Sequence, residues 1–186
     1  MGRKGNNFLN QLINSPQLTY KVELNKYFFP FLNDHIVQDR VVFPGAGYVA
    51  AGIAYYQHEI SQKIPFGLEN IKFHQMLVID DLKVQDLYTS YNSKNDNFSI
   101  DSKDLGDDTV WAQRATGKFI IGEYSNKPSG IDLKTIASSL NKVYSEEHVY
   151  ARLSKAKLDY GPYFRTIKNI DCGEDELIAQ IKGHFA

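Results

Sequence analysis

One stretch of this 186-residue chain limits the fold more than any other. From Gly45 to about Lys63 it reads as a single long helix that is apolar or small on nearly every face. Val49, Ile53, Tyr56 and Ile60 recur at helical spacing, while Ala50, Ala51, Gly52 and Ala54 keep the other faces small. A helix that is apolar or small nearly all round is usually buried. Gly52 costs helix stability, and the expected return is close approach of a neighbouring backbone. The pattern then changes to strands at Phe66 to Leu77, Leu87 to Tyr91, Phe98 to Ile100 and Thr109 to Ile121. These runs are rich in Phe, Tyr, Ile, Val and Thr and are separated by turn formers at Ser93 to Asn97 and Gly106 to Asp108. A buried helix followed by antiparallel strands suits an α+β fold in which a sheet curls around the helix.

The flanking segments are less patterned. Residues 1–17 open Asn-, Gly- and base-rich and are expected to be a poorly ordered tail. Val22 to Leu24 and the aromatic Tyr27 to Leu32 read as short strands or extended segments. Residues 18–124 would form one lobe, and 125–130, SNKPSG, a Pro/Gly/Ser linker into residues 131–186. There, Asp132 to Leu140 and Ser145 to Lys155 read as helices, with Ser145 a fair N-cap. Leu158 to Phe164 reads as a turn or short helix. Thr166 to Asp171 and Glu176 to Lys182 read as a hairpin around Cys172 to Asp175.

Composition removes several function classes. With 21 basic and 22 acidic residues the formal charge is −1, which gives no electrostatic case for nucleic acid or an anionic membrane. No apolar run reaches the length of a membrane span. Cys172 is the only cysteine, so an intrachain disulfide is excluded and a cytoplasmic location is expected. No histidine pair has metal-ligand spacing, and His58, His74, His148 and His184 read as surface or structural residues. The run Asp101, Asp104, Asp107, Asp108 reads as a solvated loop.

The chemistry concentrates at His35 to Tyr48, HIVQDRVVFPGAGY. Pro44 is favoured at a helix start because its φ is already near the helical value. Gly45, Ala46 and Gly47 add no bulk around the first backbone N–H groups. Those groups lack intrahelical partners and sit at the positive end of the helix dipole, so they can polarise a carbonyl or hold an anion. A base beside such a helix end is what proton abstraction α to a thioester requires. Spacing alone supports equally a Pro-started helix with a histidine nearby by chance.

HIVQDRVVFP resembles the H-x-x-x-G-x-x-x-x-P motif of the dehydratase domains of polyketide synthases and animal-type fatty acid synthases, with Asp39 where the family has glycine. Tyr160, Gly161, Pro162 and Phe164 in LDYGPYF resemble its second motif, Y-G-P-x-F, in the expected order. The similarity runs from about Leu18 to the end of the chain. It implies the hot-dog fold, an antiparallel sheet wrapped around a long central helix, followed by the beginning of a second hot-dog lobe.

The activity implied by the resemblance is syn elimination of water from a β-hydroxyacyl thioester. His35 would take the α-proton, with an unperturbed pKa near 6.5 keeping it mostly neutral. The Gly45 amide behind Pro44 would hold the thioester oxygen, and Tyr160, Gly161 and Pro162 would line the substrate site. For Tyr160, a packed aromatic with a satisfied hydroxyl is an equal reading. No cofactor is implied beyond the phosphopantetheine arm of an acyl carrier protein. That carrier and the other synthase domains are the implied partners, and a homodimer is left open. The family's acid, a second-lobe aspartate, has no motif match in the final IAQIKGHFA, so this chain alone is expected to be inactive. Asp34, Asp39 and Asp159 are assigned no catalytic role. A product-template or cyclase-like domain, and a catalytically silent carrier-binding remnant, stand as alternatives.

Overall fold

The computed structural model describes residues 8–80, 84–103, 110–122 and 130–183. In chain order its elements are β1 Gln11–Ile13, β2 Thr19–Leu24, a 3₁₀ turn Pro30–Asp34, β3 His35–Val37, β4 Arg40–Val41, α1 Gly45–Tyr55 and a π-turn Tyr56–Ile60. Then follow β5 Phe66–Phe73, β6 Gln85–Asn92, β7 Asn97–Lys103 and β8 Trp111–Ile121. The remainder is α2 Leu133–Ser139, β9 Lys142–Ser145, α3 Glu146–Lys155, β10 Leu158–Tyr160, β11 Ile167–Cys172 and β12 Leu177–Ile181. The chain divides into two compact units, one of residues 1–30 and 42–126, the other of residues 31–41 and 127–186. The expected linker lies mostly outside the described residues. Residues 31–41, which the sequence places in the first lobe, cluster with the second unit.

The first unit is an antiparallel six-stranded sheet in the order β1-β2-β6-β7-β8-β5, with α1 packed on one face. This is the hot-dog arrangement. Alternate residues of β2 and β7 point inward, so Tyr20, Val22, Leu24, Phe98, Ile100 and Ser102 are buried. Against them α1 buries Tyr48, Ala51, Ala54 and Tyr55. Tyr56 stacks on Phe66 with centroids 3.9 Å apart, and Phe119 joins Tyr56 at 5.2 Å and Phe98 at 4.9 Å. Each such buried aromatic removes enough apolar surface from water to contribute about 1.5–3 kcal/mol.

The glycines are spent on these rings. A Cβ on Gly52 would stand 3.1 Å from the Phe98 ring, so α1 comes close to a side chain and not to the neighbouring backbone expected from the sequence. A Cβ on Gly117 would stand 2.5 Å from the same ring, on the β8 side.

Several expectations are corrected. The helix ends at Ile60, three residues early, in a π-turn closed by Ser61 N–H donating to the Tyr56 carbonyl at 3.0 Å. Within the expected tail, Gln11–Ile13 pairs with Thr19–Lys21 as an edge strand. Tyr27 to Leu32 is not extended. The Asn25 side chain accepts from the Tyr27 and Phe28 N–H groups, and Pro30 starts the 3₁₀ turn, so local turn chemistry overrides aromatic strand propensity. Of the expected acidic loop, Asp101 belongs to β7, where burial pushes its carboxyl above the usual range. Asp104, Asp107 and Asp108 lie outside the described residues.

In the second unit Asp132 caps α2 and Ser145 caps α3, each accepting a backbone N–H through its side chain. The expected hairpin is present as β11 and β12, and β9 adds a third strand that the sequence did not announce. Leu158–Tyr160 is strand, not turn or helix, and pairs with β3.

Gly117→Ala should destabilise the first unit by about 1–3 kcal/mol in urea unfolding, because the new methyl meets the Phe98 ring. Shortening that ring with Phe98→Leu in the same chain should recover part of the Gly117→Ala loss, so the two changes should be non-additive.

Candidate active site

His35 opens β3, and β3 is the centre of the small sheet β10-β3-β4 in the second unit. The antiparallel register sets Tyr160 directly opposite His35, Asp159 opposite Ile36 and Leu158 opposite Val37. The two sequence motifs are therefore adjacent strands of one ladder. The imidazole stacks on the Tyr160 ring, centroids 5.3 Å apart at 22°, and meets the Phe164 ring edge-on at 5.1 Å. An aromatic face and an aromatic edge restrict the ring's rotation and fix where its nitrogens point.

Asp34 builds the turn that brings Phe164 back. Its carbonyl accepts from Gly161 N–H at 2.8 Å, and its carboxylate accepts from Tyr163 N–H at 2.9 Å. The turn closes on itself, with Phe164 and Arg165 N–H groups both donating to the Gly161 carbonyl at 3.0 Å. A Cβ on Gly161 would collide with the Asp34 carboxylate, so only glycine fits there. Pro162 follows at the start of the turn. From α3, the Tyr150 hydroxyl donates to the Phe164 carbonyl at 3.2 Å and accepts from Ile167 N–H at 2.9 Å. Asp34 thus has a structural task that the sequence did not reveal. The nearest signal was its place immediately before His35.

Gln38 and Asp39 form the two-residue turn between β3 and β4, with φ of 50° and 63°. Two successive positive φ values define a type I′ hairpin turn, which favours glycine at its second position and tolerates Asp or Asn. Asp39 therefore satisfies the backbone condition of the motif position that the family fills with glycine. Its carboxylate lies 3.5 Å from Lys157 Nζ, an exposed pair of small energetic weight.

Pro44 and Gly45 are in the first unit. Pro44 is the N-cap of α1 in extended conformation, and Gly45 is the first helical residue. No side chain caps the helix there. Gly47 N–H turns back to the Pro44 carbonyl at 2.9 Å. Gly45 is half-buried and Ala46 is exposed. The Phe73 ring covers Gly45, 3.3 Å from where a Cβ would stand. The first amides of α1 therefore carry the positive end of the helix dipole without a side-chain anion to neutralise it.

Of the other histidines, His58 pairs with Glu59, and His74 Nε2 sits 2.9 Å from the Thr116 hydroxyl. His148 rests against the Tyr144 ring, and His184 lies outside the described residues. Among the described residues no cluster of three or more His, Cys, Asp or Glu could hold a metal ion. No described helix is long and apolar enough to cross a membrane.

The first unit is a helix-bearing hot-dog sheet, and the second holds a histidine against a Tyr-Gly-Pro-x-Phe turn. Residues 7–103 match the family model of the polyketide synthase dehydratase domain, and residues 130–184 match that of the polyketide synthase dehydratase N-terminal domain. The chain belongs to the polyketide synthase dehydratase family. The highly reducing polyketide synthase g433 of Fusarium sp. is 25% identical over 151 residues, covering 76% of this chain and 6% of that protein. A highly reducing polyketide synthase of Pyrenophora dematioidea is 29% identical over 150 residues, covering 76% and 6%. Among solved structures, the dehydratase domain from the CurF module of the Curacin polyketide synthase superposes with a TM-score of 0.83 at 22% identity, covering 96% of this chain and 66% of that one. A trans-AT polyketide synthase dehydratase domain from Brevibacillus brevis gives 0.81 at 21% identity, covering 94% and 67%. The chain thus spans 6% of the length of these curated relatives.

Asp39→Gly should keep the hairpin and leave stability within about 1 kcal/mol. Asp39→Val should cost about 1–2 kcal/mol, because a β-branched residue resists positive φ. Thermal unfolding of the two variants measures the difference.

Proposed function

We propose that this chain supplies the histidine-bearing part of a polyketide synthase dehydratase that removes water from a β-hydroxyacyl thioester. The observation carrying this reading is the register of His35 against Tyr160, with Phe164 closing on the same imidazole. In the reaction the neutral imidazole takes the α-proton, and the C–H electron pair passes into an enolate. The Gly45 amide at the start of α1 donates to the thioester oxygen as that charge develops. The Cα–Cβ double bond then forms as the β-hydroxyl leaves. Hydroxide leaves poorly, so an acid must protonate it and release water.

The comparisons support a histidine and an aspartate as the pair. A histidine-to-phenylalanine and an aspartate-to-asparagine form of the CurK dehydratase are each described as inactive mutants. In this chain His35 occupies the motif histidine, and no aspartate stands in a matching acid motif. The substrate arrives on the phosphopantetheine arm of an acyl carrier protein, so the partners are that carrier and the remaining synthase domains. The proposed elimination calls for no redox cofactor, since it changes no oxidation state in the protein.

Two measurements test the reading. In the intact synthase polypeptide carrying these residues, His35→Ala should lower enoyl formation by about 10²–10⁴-fold with folding retained. Near-normal turnover would remove His35 from the mechanism. The 186 residues alone, incubated with a β-hydroxyacyl-pantetheine thioester, should form no enoyl product. His35-dependent turnover there would place the acid among these residues, with Asp159 or Asp34 the first to replace.

A further inference from the structure

The first unit buries an arginine that the proposed reaction does not use. Arg114 lies on β8 where the pairing with β7 slips between Ile100 and Asp101, so it is the extra residue of a bulge. It is 8% exposed, and Ser102, its neighbour on β7, is fully buried. Arg114 Nε donates to the Ser102 hydroxyl at 2.8 Å, and a terminal guanidinium nitrogen donates to the Met76 carbonyl at 2.9 Å. No carboxylate among the described residues pairs with it. A buried guanidinium held by neutral acceptors is costly, and an apolar side chain of similar volume often serves stability better. An arginine in this place is therefore better suited to gripping particular main-chain groups than to adding stability.

The role of this arginine follows from what it grips. Its own carbonyl accepts from His74 N–H at 2.9 Å, so main chain and side chain together hold the strap of residues 74–76 beyond the end of β5. The next two residues of the strap hold the entry to α1. Leu77 carbonyl accepts from Phe43 N–H at 2.8 Å, and Val78 bridges to Val42. Phe43 immediately precedes Pro44. Its ring sits 2.6 Å from where a Cβ on Gly47 would stand and packs on Tyr48 at 4.8 Å. Burial pushes the Tyr48 hydroxyl above its ordinary range, and the charge of Arg114 opposes that rise.

We propose that Arg114 is a positioning residue for the N-terminal amides of α1, fixing the strap from His74 to Val78 and, through Phe43, the place where the Gly45 N–H meets the thioester oxygen. The inference rests on the function proposed above. Binding that is equal in ground and transition states would not depend on sub-ångström placement of one amide, whereas stabilisation of a developing enolate would.

The experiment uses the intact synthase polypeptide with Arg114→Met, Arg114→Lys and His35→Ala, assayed with a β-hydroxyacyl-pantetheine thioester. A second readout is the infrared carbonyl band of a bound ¹³C-labelled acyl thioester that lacks the β-hydroxyl and so cannot eliminate. Arg114→Met should leave KM and the melting temperature unchanged and lower kcat by about 10–100-fold. It should also return the carbonyl band toward its position in water, and Arg114→Lys should restore part of both. Unchanged kcat, or a lower kcat with the carbonyl band unmoved, overturns the inference. If Arg114→Met fails to fold, Ser102→Ala removes one anchor without touching the charge. It should give a smaller loss of kcat with a smaller band shift, and wild-type behaviour there overturns the inference. Persistent turnover by His35→Ala would overturn the functional reading and this inference with it. Loss of turnover in His35→Ala beside a wild-type Arg114→Met would sink this inference alone.

Discussion

The short antiparallel ladder between β3 and β10 is the interaction on which the rest of the site depends. Three residue pairs set the register, and a one-residue slip would turn the His35 side chain to the opposite face of its strand. The ladder is too short to hold that register by itself. Asp34 and Gly161 reinforce it at one end through their paired main chains, and at the other end Gln38 N–H donates to the Lys157 carbonyl at 2.8 Å. Lys157 itself adopts positive φ as α3 ends, which turns the chain from helix into strand where the pairing must begin. The position of one imidazole is thus fixed by local turn chemistry at both ends of a small sheet.

The first unit solves a different problem. A helix clothed in small residues can lie close to a sheet, and the Phe98 and Phe119 rings fill the interval between them. Close packing of this kind is unforgiving of added volume but gives a helix whose start is held at one place. The glycines in its first turn serve the same end, because the Phe43 and Phe73 rings occupy the volume their side chains would take. Small residues at the start of α1 therefore admit aromatic packing around its first turn.

Local pattern carried much of this into the sequence. The buried helix, strands β2 and β5 to β8, the Ser145 cap and the hairpin at Cys172 to Asp175 follow from periodicity and turn residues, whereas the edge strand β1 fell within the expected tail. What stayed hidden is non-local or side-chain-specific. Nothing in Leu158 to Tyr160 announces a strand until its partner at His35 is known, because three residues show no period. The Asn25 turn is invisible in an aromatic-rich segment unless the side chain's own hydrogen bonds are considered. Arg114 belongs to no motif, and the bulge that accommodates it on β8 shows only in the strand pairing. The motifs identified His35, Gly161 and Pro162, but the reason for Gly161 lay in Asp34, which no motif letter includes.

The hairpin at Gln38 and Asp39 shows that a motif letter can stand for a torsion angle. Position 39 asks for a backbone in the left-handed region, and Asp39 meets that demand at φ 63°. Glycine is the commonest way to meet it, and asparagine and aspartate are the other ready ways. Relatives sought by the letter alone would therefore be under-counted, and chains such as this one would be set aside as degenerate. A profile written in allowed backbone angles would gather them.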